Sequence, residues 1–501
     1  MKKNLSVKAS TIFGKTLEFL FQSGPTFASL RTHARALSLA TGVLLNAAKG
    51  RRMMITNILR ALGKDRSDPG AYYKFSSTRE WDENALFEPI VRSWISQHRE
   101  KSSPKILVAA IDDTYTGKTG KKIPYTQYFR DPMSPPFHQN LIWALRQLVI
   151  SGIFFEKPFP KPGAARAVPL ELFCCPRPGK LPRNATEDQK RWHKELTEKM
   201  KLSNIVIQQM RRLRAQADRL GAKGIPILFA GDGAITNKHI YKEEIPGVIL
   251  ISRCRKDTAL YFPYEGEQRG RGKRRKYGKK APTPEELRKD QSVEWKTVEV
   301  FYSSKLYQVR YKSLKEVLWK SAGGRKVRVI VIAGLPYYPP GSKRRRYRRP
   351  CYLLSTADES ISDEALVRAY LTRVDIETNI KDLKQIFGIG DPQVWSERSV
   401  VRLPAFLTAV YSAMLTASIE LFGHRRGENY PEPARWIRKS PGQRPSTRDI
   451  LSRVELEMKM IGHESVLENF EGFLEEIDLP RTHRKYPGKR RRGGKIKTLA
   501  V

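Results

Sequence analysis

Cysteine is scarce in this chain, and its cysteines are not spaced as metal ligands. Only four occur in 501 residues, at positions 174, 175, 254 and 351. Their spacing indicates neither a zinc site nor the disulfide framework of a small secreted domain. We therefore expect a reducing compartment and a fold stabilised by its hydrophobic core, for which 40% hydrophobic residues suffice.

The chain also lacks a clean membrane-spanning run. Its amino terminus, MKKNLSVKASTIFGKTLEFLF, has no signal-peptide core, because Lys15 and Glu18 interrupt the apolar residues. The most apolar stretch, residues 403–422, carries serines, threonines, a tyrosine and a glutamate. We interpret it as a buried helix of a globular protein and expect no membrane association.

Acidic residues are few relative to basic ones. The chain has 93 lysines and arginines against 51 aspartates and glutamates, and its formal net charge is +42. Such a surplus repels itself in the compact free state and is typical of proteins with a polyanionic partner. Nucleic acid is the partner we expect, because neutralising its phosphates releases counterions. An anionic membrane surface is the alternative, but no stretch supports it.

Sequence patterns divide the chain into five regions. Residues 1–98 have helical periodicity and clustered basic residues, which fits a small DNA-binding domain or, alternatively, a packing subdomain. Residues 99–262 alternate strand-like runs with a long charged helical region. Residues 263–354 are basic and mostly β-like. Residues 355–425 are helical, and residues 426–501 are proline-rich, then helical, and end in a basic tail at 484–501.

The pattern as a whole predicts an α/β fold. The expected strands are at 105–117, 140–150, 164–175, 224–237, 247–257, 293–313 and 325–338. The run at 140–150 fits a helix equally well by its leucine spacing. One long amphipathic helical region is expected at 185–220.

Aspartates follow two of the apolar strands. Asp112, with Asp113 beside it, and Asp232 each end a run of strand length. A carboxylate at a strand end can place a ligand at the edge of a sheet. The alternative is that both are turns, because Asp and Gly favour turns for local reasons.

A third acid lies on the segment YLTRVDIETNIKDLKQ, residues 370–385, which we predict to be one helix. At about 100° per residue, Tyr370, Arg373, Glu377 and Lys384 lie on one narrow stripe. An apolar stripe lies beside it, formed by Ile376, Ile380, Leu383 and Phe387. The remaining polar residues are expected to face solvent: Thr372, Asp375, Thr378, Asn379, Asp382 and Gln385. The alternative is an ordinary helix-stabilising pair of Arg373 and Glu377.

Three carboxylates suit Mg²⁺ or Mn²⁺, which prefer oxygen ligands. Two such ions about 4 Å apart can hold the attacking and leaving oxygens of a phosphodiester displacement. Neighbouring Arg and Lys side chains would neutralise the phosphate charge as it develops. This chemistry agrees with the basic composition of the chain.

These residues together resemble the signature of a large group of bacterial insertion-sequence transposases of the Asp-Asp-Glu type. The group's pattern of Tyr, Arg, Glu and Lys is intact at Tyr370, Arg373, Glu377 and Lys384. IDDT at 111–114 and FAGDGAITN at 229–237 are similar to its first two catalytic strands. The basic RGRGKRRKYG resembles the start of its β-rich insertion, and the resemblance spans roughly residues 25–425.

The resemblance implies an RNase H-like catalytic core, interrupted by the β-rich insertion, with an N-terminal helical DNA-binding domain. It implies cut-and-paste DNA transposition, in which the ends of the element are cleaved and the 3′-OH attacks target DNA. In many members of the family the excision passes through a DNA hairpin. By carry-over, Asp112 or Asp113, Asp232 and Glu377 would hold two metal ions. The family's Asp-x-Thr spacing favours Asp112, whereas adjacency to Thr114 favours Asp113, and we take Asp112 as the metal ligand.

Other expectations also rest on the resemblance. Tyr370, Arg373 and Lys384 would contact DNA phosphate near the end of the element. Trp295 or Trp319 would stabilise a flipped base, although each also fits a core tryptophan. The partners would be the terminal inverted repeats and target DNA, bound by a homodimer in the bacterial cytoplasm, at the nucleoid.

Three other functions are compatible with the sequence. The first is a decayed or domesticated transposase that binds DNA without cutting it. The second is a basic nucleic-acid-binding scaffold whose acids are structural. The third is a nuclease that lacks strand transfer.

Overall fold

We describe the fold from a computed structural model, which describes residues 11–101 and 105–461, except 133, 136, 139, 177–178, 268–271, 273, 303–304, 338–343, 433–435 and 437–441. Parts of both internal basic runs and all of the basic tail predicted at 484–501 lie outside the described residues.

The helices precede, interrupt and follow the strands. They are α1 Ile12–Gln22, α2 Leu30–Ala48, α3 Ile55–Ala61, α4 Gly70–Ser77, α5 Glu88–Lys101, α6 Glu187–Lys199, α7 Leu202–Ala217, α8 Lys238–Lys242, α9 Pro284–Lys289, α10 Asp363–Thr372, α11 Asp375–Gln385, α12 Glu397–Phe422 and α13 Thr447–Ile461.

The strands lie in the middle of the chain. They are β1 Leu107–Gly117, β2 Gln127–Arg130, β3 Leu141–Phe155, β4 Ala165–Cys174, β5 Ile227–Gly231, β6 Val248–Arg253, β7 Tyr261–Pro263, β8 Tyr277–Lys280, β9 Lys296–Tyr302, β10 Lys305–Trp319, β11 Arg325–Ile332, β12 Pro336–Tyr337, β13 Arg346–Tyr347 and β14 Cys351–Ser355.

The expected α/β class is confirmed, because helices pack around one large mixed sheet. Within the described residues the sheet has twelve strands, and its main order is β2-β3-β1-β5-β6-β14-β11-β10-β7-β8. Strand β4 pairs with β3, and β9 pairs with β10. Strands β1, β3 and β4 are antiparallel neighbours, whereas β5 and β6 run parallel to β1.

The strands that surround the site match their sequence signals. The runs at 105–117, 164–175, 224–237 and 247–257 contain β1, β4, β5 and β6, and the ambiguous run at 140–150 lies in β3. Strand β5 is buried along its whole length, as expected of a parallel strand covered on both faces. The long helical region expected at 185–220 is instead two helices, α6 and α7, separated near residue 200.

Three of the predicted region boundaries lie within helices or strands and not in the loops between them. Position 98 lies inside α5, position 263 lies at the end of β7, and position 354 lies inside β14. Strand β14 pairs with β6, so the β-rich strands extend the same sheet that carries β1 and β5. One hydrophobic cluster also joins residues of α1 and α2 to the sheet.

The most apolar helix is a core element, as predicted. Among the described residues, α12 is long and apolar enough to cross a membrane by length and composition, yet 83% of its apolar window is buried inside the protein. It packs against α1 and β4. All four cysteines are free thiols, which agrees with the absence of a disulfide framework.

Candidate active site

Two of the predicted acids meet at the edge of the central parallel pair. Strands β1 and β5 are in parallel register, with Ile111 opposite Gly231. The next residues, Asp112 and Asp232, are therefore neighbours on adjacent strands, whose backbones lie about 4.8 Å apart. The sheet thus brings together two acids that are 120 positions apart in the sequence.

The turn after β5 fixes the direction of Asp232. Its Oδ1 accepts a hydrogen bond of 2.8 Å from the backbone N–H of Ala234, so the carboxylate also closes the turn. Ile235 folds back onto Gly231, where an added Cβ would lie only 2.5 Å from the isoleucine side chain. Glycine at 231 therefore permits the tight turn that exposes the acid at the end of the strand.

The two adjacent aspartates on β1 have different partners. The Oδ2 atom of Asp113 accepts a hydrogen bond of 2.8 Å from Nε of Arg146 on β3, and both side chains are largely buried. Asp112 instead lies near Arg373 and Asp232. Because successive strand residues point to opposite faces, only one of the pair can face the third acid. In this structure that residue is Asp112.

The segment that carries the third acid differs from its prediction. Residues 370–385 are two helices, α10 and α11, separated at Arg373 and Val374. At the break, the N–H groups of Ile376 and Glu377 bond the carbonyls three residues back, at 2.9 and 3.1 Å, instead of four. The four signature residues therefore do not form one straight helical stripe. The predicted apolar stripe is buried or half-buried, as expected.

Arg373 lies at this break and connects two of the acids. Its Nη2 is 3.0 Å from Oε1 of Glu377, and its Nη1 is 3.6 Å from Oδ2 of Asp112. The guanidinium is buried, and within the described residues its Nε and Nη1 have no hydrogen-bond acceptor. The side chain of Glu377 is 58% exposed, so the acid opens to solvent on its outer side.

The other two signature residues occupy different environments. Tyr370 is largely buried, its hydroxyl accepts a hydrogen bond from Sγ of Cys351, and its ring lies 5.8 Å from the Arg373 guanidinium carbon. It supports Arg373 in this structure, and its predicted phosphate contact stays a prediction. The side chain of Lys384 is exposed overall, but its ammonium is partly removed from water. This desolvation lowers the pKa of the ammonium, and the negative charges of Asp112 and Asp131 act in the opposite direction.

The electrostatics of the site centre on Asp112. Its burial, together with the negative charge of Asp232, raises the pKa of the Asp112 carboxyl to about 7, against an ordinary value of 3.8. The positive charge of Arg373 acts in the opposite direction and is the smaller effect. Burial is the largest cause, so the site disfavours the ionised form of Asp112 mainly because it removes the carboxylate from water.

The donor set fits a divalent cation. Mg²⁺ and Mn²⁺ prefer carboxylate oxygens, and Asp112, Asp232 and Glu377 supply them around one guanidinium. The raised pKa of Asp112 marks unfavourable negative charge that a cation would relieve. Across the part of the chain that the structure describes, however, no three acidic, His or Cys side chains lie close enough to hold one ion. To hold the same ion as the two aspartates, Glu377 would have to turn away from Arg373.

The two candidate tryptophans differ in burial. Trp319 is buried at 9% exposure and packs edge-on against Tyr241, with 5.3 Å between the rings, which fits the alternative of a core tryptophan; its base contact stays a prediction. Trp295 is half-buried beneath Lys312, whose Nζ lies 4.8 Å from its ring centroid. Its base contact stays a prediction.

Sequence reasoning missed the loop that follows α11. Lys118 is buried, and its Nζ donates hydrogen bonds of 2.7 and 2.8 Å to the carbonyls of Gly390 and Pro392. Burial lowers the pKa of this ammonium to about 8. The loop carries Trp395, which is 70% exposed beside Gly120. The segment DLKQIFGIGDPQVW, residues 382–395, contains Lys384 and continues the signature pattern, and it was the signal that could have pointed to this loop.

Comparisons with known proteins give no further assignment: no family model matches the chain, and no curated protein is significantly similar to it in sequence.

Proposed function

We propose that this protein is a DNA transposase that cleaves the ends of an insertion sequence and joins the 3′-OH to target DNA. The observation that carries the proposal is the meeting of Asp112 and Asp232 on adjacent parallel strands, with Arg373 linking Asp112 to Glu377. These are the residues that the transposase resemblance selects, and they come from three separate parts of the chain.

The sheet supports an RNase H-like core as part of this proposal. The order β4-β3-β1-β5-β6 combines three antiparallel strands with two parallel ones. The first acid lies on β1 and the second follows β5, at the centre of that order. The β-rich insertion enters between β6 and α10, which precedes the Glu377 helix.

The proposed chemistry assigns a role to each group. Asp112, Asp232 and Glu377 would hold two Mg²⁺ or Mn²⁺ ions, which supply Lewis acidity to the attacking and leaving oxygens. If Glu377 turned to a ligand position, Arg373 would lose that partner, and its guanidinium would be available to neutralise phosphate charge. Lys384 attracts the DNA backbone as an exposed cation. A dimer that holds two DNA ends remains part of the proposal.

A cleavage assay tests the proposal. Labelled terminal inverted-repeat DNA is incubated with Mg²⁺ and either the wild type or Glu377→Gln. We expect cut and joined products from the wild type, and binding without cutting from the variant. Bound but uncut DNA with both proteins would indicate an inactive transposase or a DNA-binding scaffold. Cleavage without a joined product would indicate a nuclease.

A further inference from the structure

The polar face of α11 that was expected to meet solvent is buried only in part: Thr378 and Gln385 are exposed, whereas Asn379 and the Asp375 side chain are covered. Asp375 accepts hydrogen bonds of 2.6 and 2.8 Å from the two Nη atoms of Arg444 and one of 2.7 Å from the N–H of Ala167. Asn379 donates a hydrogen bond of 3.1 Å to Ser151. Polar residues that looked like a solvent face thus hold the helix in place.

The C-terminal segment 444–447 supplies most of these contacts. Arg444 also donates a hydrogen bond of 2.7 Å to the carbonyl of Ala165 on β4. Thr447 donates one of 2.6 Å to Asp382, one turn from the end of α11. Arg166 of β4 donates a hydrogen bond to the carbonyl of Pro445. The segment therefore ties both ends of α11 to the sheet.

Helix α11 needs such external support at its start. Its N-cap, Val374, makes no side-chain capping bond, and the preceding turn is broken at Arg373. A cavity of about 390 Å³ lies between α11 and the C-terminal segment, lined by Arg166, Asp375 and Arg444 among others. Arg444 is the cation that holds the first turn of α11 on this side, alongside the hydrogen bond from the N–H of Ala167.

The geometry relates this contact to the third acid. Glu377 follows Asp375 by two residues, so its side chain points about 200° around the helix axis from Asp375. A rotation or retreat of α11 at Asp375 therefore moves Glu377 relative to Asp112 and Asp232.

We propose that Arg444 is a positioning residue for the active site: its two-pronged contact with Asp375 fixes α11, and thereby Glu377, at the metal site. This inference rests on the proposed function, because it concerns the same three carboxylates. It assigns a role to the C-terminal region, which contains none of the signature residues. Arg444 touches neither DNA nor metal in this scheme.

The test compares Arg444→Met with Arg444→Lys and with Arg425→Met. Arg425 is the control because it also forms an ion pair near the start of the C-terminal region, more exposed than that of Arg444, and its hydrogen bonds go to Glu156, at 2.5 Å, rather than to α11. Three quantities are measured on the full chain: hydrogen exchange of the α11 amides, the affinity for Mn²⁺ alone, and DNA cleavage at saturating DNA. Binding of a duplex oligonucleotide is measured in parallel.

For Arg444→Met we expect faster exchange confined to α11, roughly tenfold or greater loss of Mn²⁺ affinity, and a lower cleavage rate with unchanged duplex affinity. In hydrogen exchange, Mn²⁺ affinity and cleavage rate, Arg444→Lys should lie between the wild type and Arg444→Met, because lysine keeps the charge but cannot donate two parallel hydrogen bonds to Asp375. Arg425→Met should match the wild type in all three quantities.

Unchanged α11 exchange or unchanged Mn²⁺ affinity in folded Arg444→Met would overturn the positioning role. The positioning role would also be overturned if Arg444→Met lost both duplex binding and cleavage, because the defect would then not be specific to the metal site. A wild type that binds neither Mn²⁺ nor DNA would instead refute the proposed function itself, so the two failures are distinguishable.

Discussion

Replacing Asp112 by Asn should stabilise the metal-free protein at neutral and alkaline pH. The pKa of this carboxyl is about 7 in the folded protein, against an ordinary value of 3.8 that applies to the unfolded chain. Between these values the folded state binds more protons, so the free energy of unfolding falls as pH rises. At about 1.36 kcal/mol per pH unit between 3.8 and 7, ionisation of Asp112 lowers the free energy of unfolding by about 4 kcal/mol once the pH is above 7.

Asparagine removes this cost because it has no charge to desolvate, and it can keep the hydrogen bond of 2.9 Å that Asp112 accepts from the N–H of Asp113. We therefore expect Asp112→Asn to exceed the wild type in stability by about 2–4 kcal/mol at pH 8 and to match it near pH 4. Urea unfolding at both pH values, in a chelator, measures the difference.

Asp113→Asn is the matched control. It weakens the ion pair with Arg146 and should cost about 1.5–3 kcal/mol at pH 8, the scale of a hydrogen bond to a charged group. Adding Mg²⁺ should raise the stability of the wild type and leave that of Asp112→Asn nearly unchanged. Equal stabilities of Asp112→Asn and the wild type at pH 8 would refute the claim that ionised Asp112 destabilises the fold. Stabilisation by Asp113→Asn would refute it as well.

Two further predictions concern the other candidate residues. Glu377→Gln should abolish cleavage and cost at most about 1 kcal/mol in the free energy of unfolding, since the side chain is 58% exposed and the glutamine oxygen can still accept the hydrogen bond from Arg373. A larger loss in urea unfolding would make Glu377 structural. Trp319→Ala should cost about 3–5 kcal/mol because the ring is buried against Tyr241, whereas Trp295→Ala should cost less; similar thermal melts for both would contradict their different burial.

The sequence identified the strands of the site because each is a continuous apolar run that ends in an acid. Buried parallel strands are covered on both faces, so β5 and β6 need no polar alternation and are easily recognised. The choice between Asp112 and Asp113 needed the structure. Alternation shows that the two side chains point to opposite faces, but only the pairing with β5 shows which face holds Asp232.

The surroundings of α11 could not be predicted by periodicity. No proline or glycine marks the break at Arg373 and Val374, so the segment reads as one helix. The burial of Asp375 and Asn379 depends on partners 69 and 228 positions away, Arg444 and Ser151. Periodicity reports which residues share a helix face, but it cannot distinguish solvent from a distant polar partner.

The central claim is that Asp112, Asp232 and Glu377 hold divalent cations. Anomalous diffraction from crystals of the wild type grown with Mn²⁺ tests it most directly, because manganese can be located without assuming its ligands. We predict anomalous peaks within about 2.3 Å of the Asp112 and Asp232 carboxylates, with Glu377 turned away from Arg373 to complete the site. Peaks only at other carboxylates, or an ordered site without a peak and with Glu377 still paired to Arg373, would contradict the claim.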